Sequence, residues 1–149
     1  MSYVLVVDDE PGVRTFLECL LARAQYPARM AASAEDAMDL VRLEAPAVAV
    51  CDVHMPGANG LWLMDQIRDE SPATALVLAT GDGRIPAYES LKPGIIAYLL
   101  KPLDRDELLS AVEAGLLWSV QQSGRAGRSG RALPPAPEGA TRPALRLAR

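Results

Sequence analysis

The stretch Ala47-Val48-Ala49-Val50-Cys51-Asp52-Val53-His54-Met55-Pro56-Gly57-Ala58-Asn59-Gly60 decides how this chain folds. It opens as a short apolar run, the pattern of a strand buried on both faces, and ends on a carboxylate, Asp52. Pro56, Gly57, Asn59 and Gly60 then impose a loop, because proline fixes φ and glycine lifts the steric limits on turning. A helical pattern follows. An isolated Asp in such a place is ordinarily a turn or N-cap residue. A carboxylate at the end of a buried strand also stands where open α/β sheets bind ligands, outside the carboxyl ends of the strands. The rest of the chain decides between the two.

Working outward, the same unit recurs. Tyr3 to Val7 reads as a buried strand that ends in Asp8, Asp9 and Glu10. Pro11, favoured in the first turn, opens a helix with Val13, Phe16, Leu17, Leu20 and Leu21 on its apolar face. Arg29 to Ala32 is a weak strand. Ser33 caps a second helix carrying Ala37, Leu40 and Val41, and Pro46 ends it. After the strand at Ala47 to Cys51, a helix runs from Asn59 to Asp69 with Leu61, Met64 and Ile67 inward. Ala75 to Ala79 is a strand ending at Thr80, and Ile95 to Leu100 a strand ending at Lys101-Pro102. Between them Arg84 to Lys92 predicts a short helix bounded by Pro86 and Pro93. Asp104 and Glu107 make a capping box for a last helix with Leu108, Leu109, Val112, Leu116 and Leu117 inward. Strands alternating with helices at this spacing predict right-handed βα crossovers. The expected fold is α/β: a doubly wound, flavodoxin-like, five-stranded parallel sheet in the order 2-1-3-4-5.

At 149 residues the chain has room for one domain with a real core, and half its residues are apolar. No apolar run approaches the roughly 20 residues of a membrane span, and the N-terminal run is too soon acidic for a secretory signal. A cytoplasmic protein without membrane contact is expected. Cys19 and Cys51 both lie in apolar patterns and are expected to be buried thiols. The net charge of −4 is uneven: residues 121–149 hold six Arg and one Glu, a net of +5, which leaves −9 on residues 1–120. From 121 onward the text of Gly, Arg, Ser, Pro and Ala has no apolar period, so residues 121–149 are expected to be a disordered tail. Its arginines could meet an anionic partner, but without aromatic interleaving or a groove-reading helix no sequence-specific nucleic-acid binding is expected. Trp62 and Trp118 are read as packing or partner-face residues.

In a parallel sheet every strand's carboxyl end points the same way. Asp8, Asp9, Asp52, Thr80 and Lys101 therefore converge on one edge. Carboxylates so close repel one another unless a cation lies among them. An oxygen-only set suits Mg²⁺. An Asp carboxylate can also attack phosphorus, with Lys101 and a cation neutralising charge and Thr80 donating to a phosphoryl oxygen.

On these residues the chain resembles the receiver domain of two-component response regulators. The matching text is Val4 to Glu10, Asp52 to Gly60, Ala79 to Gly81 and Tyr98 to Pro102, within residues 1–120. The resemblance implies that Asp52 is the phosphoacceptor, served by a histidine kinase or histidine phosphotransfer protein. It implies that Asp8, Asp9, Asp52 and the His54 backbone carbonyl bind Mg²⁺. Lys101 would pair with the phosphoryl group through a chain that turns by a cis bond to Pro102. Thr80 and Tyr98 would form a switch that reshapes a partner-binding face, with an unidentified protein as target and a phosphorylation-dependent dimer as one outcome. His54 and Asp82 stand two residues beyond hallmark positions and would tune loss of the phosphate. Self-catalysed phosphorylation and dephosphorylation apart, no enzyme is expected, and no DNA-binding output domain.

Two other classes remain open: a pseudo-receiver scaffold that never takes phosphate, and a Mg²⁺-dependent phosphohydrolase. The first has no need to keep repelling carboxylates together. The second usually needs an acid two residues after the nucleophile, where this chain has His54.

Overall fold

The computed structural model describes residues 2–57, 59–81 and 92–129. Strands β1 (Val4–Val7), β2 (Ala28–Ala31), β3 (Val48–Asp52), β4 (Ala75–Thr80) and β5 (Ile95–Leu100) form one parallel sheet in the order β2-β1-β3-β4-β5. Helices α1 (Pro11–Arg23), α2 (Ala34–Leu43), α3 (Gly60–Glu70) and α4 (Arg105–Ser129) complete the described elements. This is the doubly wound architecture expected from the alternation of strands and helices. The continuous apolar runs of β1, β3 and β4 are buried throughout, as a sheet covered on both faces requires. α1 and α4 line a common cleft, while α2 and α3 pack on each other. The reversal of strand order between β1 and β3 puts these two pairs on opposite faces.

The helix starts follow local chemistry. Pro11 opens α1. Ser33 Oγ accepts from Asp36 N–H, Asn59 Oδ1 from Trp62 N–H and Asp104 Oδ2 from Glu107 N–H, so α2, α3 and α4 each have a donor of the first turn satisfied by a side chain. Gly115 is where α4 lies tightest on the sheet: a Cβ there would stand 2.9 Å from Val48 Cγ2. Only glycine allows the helix that close.

Several expectations change. On α4, Leu117 faces out at 63% exposure and Trp118 is buried at 2%, because the helical period that buries Leu108, Ala111 and Val112 reaches Trp118 one position later. Phe16 is 46% exposed, since Leu17, Leu20 and Leu21 already fill the contact of α1 with the sheet. Cys51 is buried but Cys19 is exposed, in the cleft that α1 shares with α4. α4 also runs to Ser129, beyond the start of the tail expected at 121. Ser119 and Gln122 are buried, so the inward face continues where the sequence already reads as polar. Residues 130–149 lie outside the described residues, as does the helix expected over 84–92 apart from Lys92.

Candidate functional site

The strand register builds the site. Val7 pairs with Cys51, Asp52 with Ala79 and Thr80 with Leu100, so the residues that end β1, β3, β4 and β5 arrive together. Lys101 follows β5, and its N–H donates to Thr80 O at 2.8 Å, tying two of these ends to each other. The Lys101-Pro102 bond is cis.

The loop after Asp52 is closed by its own backbone. Val53 N–H donates to Ala79 O and Gly60 N–H to Val53 O, both at 3.0 Å. A Cβ on Gly60 would come within 2.1 Å of Asp52 O, so α3 starts directly against the strand end only because residue 60 is glycine. His54 is exposed, and its N–H donates to Asp52 Oδ1 at 3.2 Å.

The side chains form a charged knot. Lys101 Nζ lies 2.8 Å from Asp8 Oδ2, 3.4 Å from Asp52 Oδ2 and 3.7 Å from Glu10 Oε1. Asp8 Oδ1 also accepts Glu10 N–H at 2.9 Å. Asp8 and Asp52 are nearly sealed, at 2% and 4% exposure, and Thr80 is buried beside them. Burial raises the Asp52 carboxyl above its ordinary range and the charge of Asp8 adds to this, outweighing Lys101 and the His54 N–H. Burial lowers Lys101, but the hydrogen bond to Asp8 and the charges of Asp52, Asp8 and Glu10 leave its ammonium held above the ordinary value. The ammonium is therefore fixed in its charged form, and still does not offset the cost of ionising Asp52. The neighbouring Cys51 thiol is pushed up to about 12 by burial and by Asp52, so it stays protonated and inert.

One carboxylate oxygen each from Asp8, Asp9 and Glu10 lies within 4.8 Å of the others. These are hard oxygen donors on a cluster with more negative charge than Lys101 balances, the chemistry that a hard divalent cation fits. Asp52 stands outside that group and faces Lys101 instead. The structure thus brings together Asp8, Asp9, Asp52, Thr80 and Lys101. Tyr98 is buried within β5, opposite Leu78 and back from the edge. Asp82 lies outside the described residues. Glu10 is the addition. Its signal was the unbroken acid run at 8 to 10, whose third member reaches Lys101 because the chain turns there into α1.

Beside the knot opens a cleft of about 550 Å³, walled by Val13, Phe16, Pro102 and Leu103, with Glu10 and Lys101 among its lining. A second hollow of about 310 Å³ shares Phe16 and adds Leu20, Leu109, Arg23 and Arg105.

A family model described as the response regulator receiver domain matches residues 4–113. The transcriptional regulatory protein ZraR of Salmonella typhimurium is 35% identical over 114 residues, 76% of this chain and 26% of that protein. The response regulator Rre1 of Synechocystis is 34% identical over 132 residues, 83% of this chain and 55% of that one. The chain thus spans about a quarter of the one relative and about half of the other. Among solved structures, the signal receiver domain of an HD domain-containing protein from Pseudomonas fluorescens Pf-5 is similar with a TM-score of 0.75 at 28% identity, covering 80% of this chain and 98% of that one. Among the described residues no helix is long and apolar enough to cross a membrane.

Proposed function

The chain belongs to the response regulator receiver domain family, and from that premise we propose that Asp52 accepts a phosphoryl group from a phosphohistidine protein. The observation that carries this reading is the Asp52 carboxylate itself. It is nearly sealed, disfavoured as an anion by burial and by Asp8, and faced by one fixed ammonium. A scaffold gains nothing from that arrangement. A nucleophile that must meet a phosphoryl group does, because attacking carboxylate and incoming phosphate share the same need for positive charge.

In the step proposed, an Asp52 oxygen attacks phosphorus in line with the phosphorus–nitrogen bond of the donor. That bond breaks, its electron pair returns to the imidazole nitrogen, and Asp52 becomes an acyl phosphate. Lys101 moves its ammonium from Asp8 towards the phosphoryl oxygens, and Thr80 donates its hydroxyl to one of them. Asp8, Asp9 and Asp52, with the His54 carbonyl, would hold Mg²⁺, and Glu10 stands close enough to join through water. The ion supplies neutralisation of phosphoryl charge when bound. The donor is a histidine kinase or histidine phosphotransfer protein. The cleft of Val13, Phe16, Pro102 and Leu103 opens beside Lys101 and supports docking of such a protein next to the site.

Receiver domains are signalling modules, and here the output is a population shift. The phosphoryl group favours the arrangement in which Thr80 has turned towards it and Tyr98, already buried here, is held inward, and the face made by β5, α4 and the short helix expected over 84–92 follows. Its reader is a protein target or a second copy of the chain, in the cytoplasm, with residues 1–120 as the receiver. His54 and Asp82 tune the lifetime of the phosphate. His54→Ala and Asp82→Asn are each expected to change the decay rate of phosphoprotein between pH 6 and 8, and unchanged rates in both would remove that role.

The deciding experiment is the intact mass after incubation with Mg²⁺ and a small acyl phosphate. One phosphoryl adduct is expected, absent in Asp52→Asn and absent without Mg²⁺. A folded wild type that takes no adduct, even from a phosphohistidine protein, would leave a pseudo-receiver scaffold.

A further inference from the structure

Asp8 is held at every polar atom. Its N–H donates to Ala31 O at 3.1 Å, Oδ1 accepts Glu10 N–H and Oδ2 accepts Lys101 Nζ. The remaining atom is the backbone carbonyl. It lies just past the end of β1, and Arg14 Nη1 donates to it at 2.7 Å.

Arg14 is in an unusual place for a cation. The helix α1 begins at Pro11, its first turn holds no acid, and Arg14 N–H makes an early helical bond, to Glu10 O at 3.1 Å. The amino end of a helix carries partial positive charge and prefers anions, so an Arg there works against the helix. Side chains on a helix lean back towards its amino end, which is how the guanidinium of Arg14 reaches the turn before α1. A local preference broken in this way is found where something other than the helix is being served. What it serves here is the carbonyl of Asp8, a member of the acidic group Asp8, Asp9 and Glu10.

We propose that Arg14 is a positioning residue for the divalent-cation site: by holding the Asp8 carbonyl it fixes ψ at Asp8 and so the direction in which the Asp9 carboxylate leaves the chain relative to that of Asp8. Asp8 leaves one side of the extended chain, towards Lys101, and Asp9 leaves from the next α-carbon. A change of ψ at Asp8 that turned this carbonyl would turn the chain beyond it as well, and would swing the Asp9 carboxylate relative to that of Asp8. The other anchors of Asp8 fix its side chain and its N–H, and Arg14 alone among the described residues holds this carbonyl. The guanidinium takes no carboxylate oxygen from a cation; its charge by itself repels one, so a loss of affinity on its removal reports lost positioning and not lost charge. This inference rests on the phosphoacceptor reading, since a cation at these carboxylates matters to the chain through Asp52.

The test uses the full chain, MgCl₂ alone and calorimetric titration, with phosphorylation by a small acyl phosphate as a second readout. Loss of an outer partner of a metal ligand typically weakens metal binding by about 10–100-fold, so Arg14→Ala and Arg14→Met are expected to bind Mg²⁺ at least tenfold more weakly. The Mg²⁺ concentration for half-maximal phosphorylation should rise by the same factor, with the rate at saturating Mg²⁺ within about threefold of wild type. Arg14→Met keeps the aliphatic stem and removes the donor, so it separates packing from the hydrogen bond. Arg14→Lys should recover part of the affinity. If wild type binds Mg²⁺ and is phosphorylated at Asp52 while Arg14→Met matches its affinity, the role of Arg14 is refuted and the phosphoacceptor reading stands. A loss confined to the saturated rate, with affinity unchanged, also refutes it. If wild type neither binds Mg²⁺ nor takes phosphate, both readings fall together.

Discussion

The two ends of the sheet bury polar groups to similar depth and use them in opposite ways. At the carboxyl edge Asp8, Asp52, Thr80 and Lys101 are buried or nearly so, and the carboxylates outnumber the ammonium that faces them. At the amino edge Ser71 and Thr74 are buried as well. Their hydroxyls bond each other at 2.6 Å, and Thr74 Oγ1 donates to Pro46 O at 2.6 Å. Tyr3 OH, in the same layer, donates to Glu44 O at 2.8 Å. This second cluster is neutral and each of these hydroxyls has a partner, so it ties α2, α3 and the strand starts together. The first is charged and electrostatically incomplete. Buried polar groups that satisfy one another stabilise a fold, whereas buried charges left in excess mark a place where a ligand completes the balance.

The contrast can be broken most strongly at the neutral end. Thr74→Val should leave the Pro46 carbonyl and Ser71 hydroxyl without their partner, a loss of about 2 kcal/mol. For a domain of this size that lowers Tm by roughly 6–10 °C. Phosphorylation of the remaining folded protein should be unchanged. A slower phosphorylation would show that the two ends are coupled.

A smaller effect of opposite sign is expected at the charged end. Asp52→Asn removes a carboxylate that burial disfavours, and without Mg²⁺ it should raise Tm at neutral pH by about 3–5 °C, on the order of 1 kcal/mol. The pH dependence sharpens this. The carboxyl of Asp52 is raised in the folded state, so the folded chain binds its proton more tightly than the unfolded chain does. Stability from this group is present below the unfolded value of about 3.9 and is lost as pH rises through the higher folded value. Wild type and Asp52→Asn should therefore converge in Tm as the pH is lowered towards that value. A constant gap across the range would show that the Asn acts through packing and not through charge.

Much of this was legible in the sequence. The alternation of apolar runs with helical periods, Pro11, the caps at Ser33 and Asp104 and the Gly-rich loop after Asp52 are local features, and they fix a parallel sheet and its order. Convergence of Asp8, Asp9, Asp52, Thr80 and Lys101 followed from that topology, because strand ends in a parallel sheet must meet. What failed were judgements about faces and ends. Leu117 and Trp118 are adjacent apolar residues, and only the angle at which α4 settles on β4 and β5 decides which turns inward. The polar sequence after 120 looks like a tail until the burial of Gln122 shows that the helix face continues.

The sequence by itself determined the fold, the ordered set of acids, hydroxyl and lysine, and the edge at which they gather, since these depend on local propensity and strand direction. Only the tertiary structure decided the assignments within that edge: Lys101 between Asp8 and Asp52, Glu10 in the acidic group, Arg14 on the Asp8 carbonyl and Gly60 against the Asp52 carbonyl. Those contacts depend on ångström-scale distances between elements far apart in the chain. They are set by how closely helices and strands pack, and no periodicity along the sequence encodes that distance.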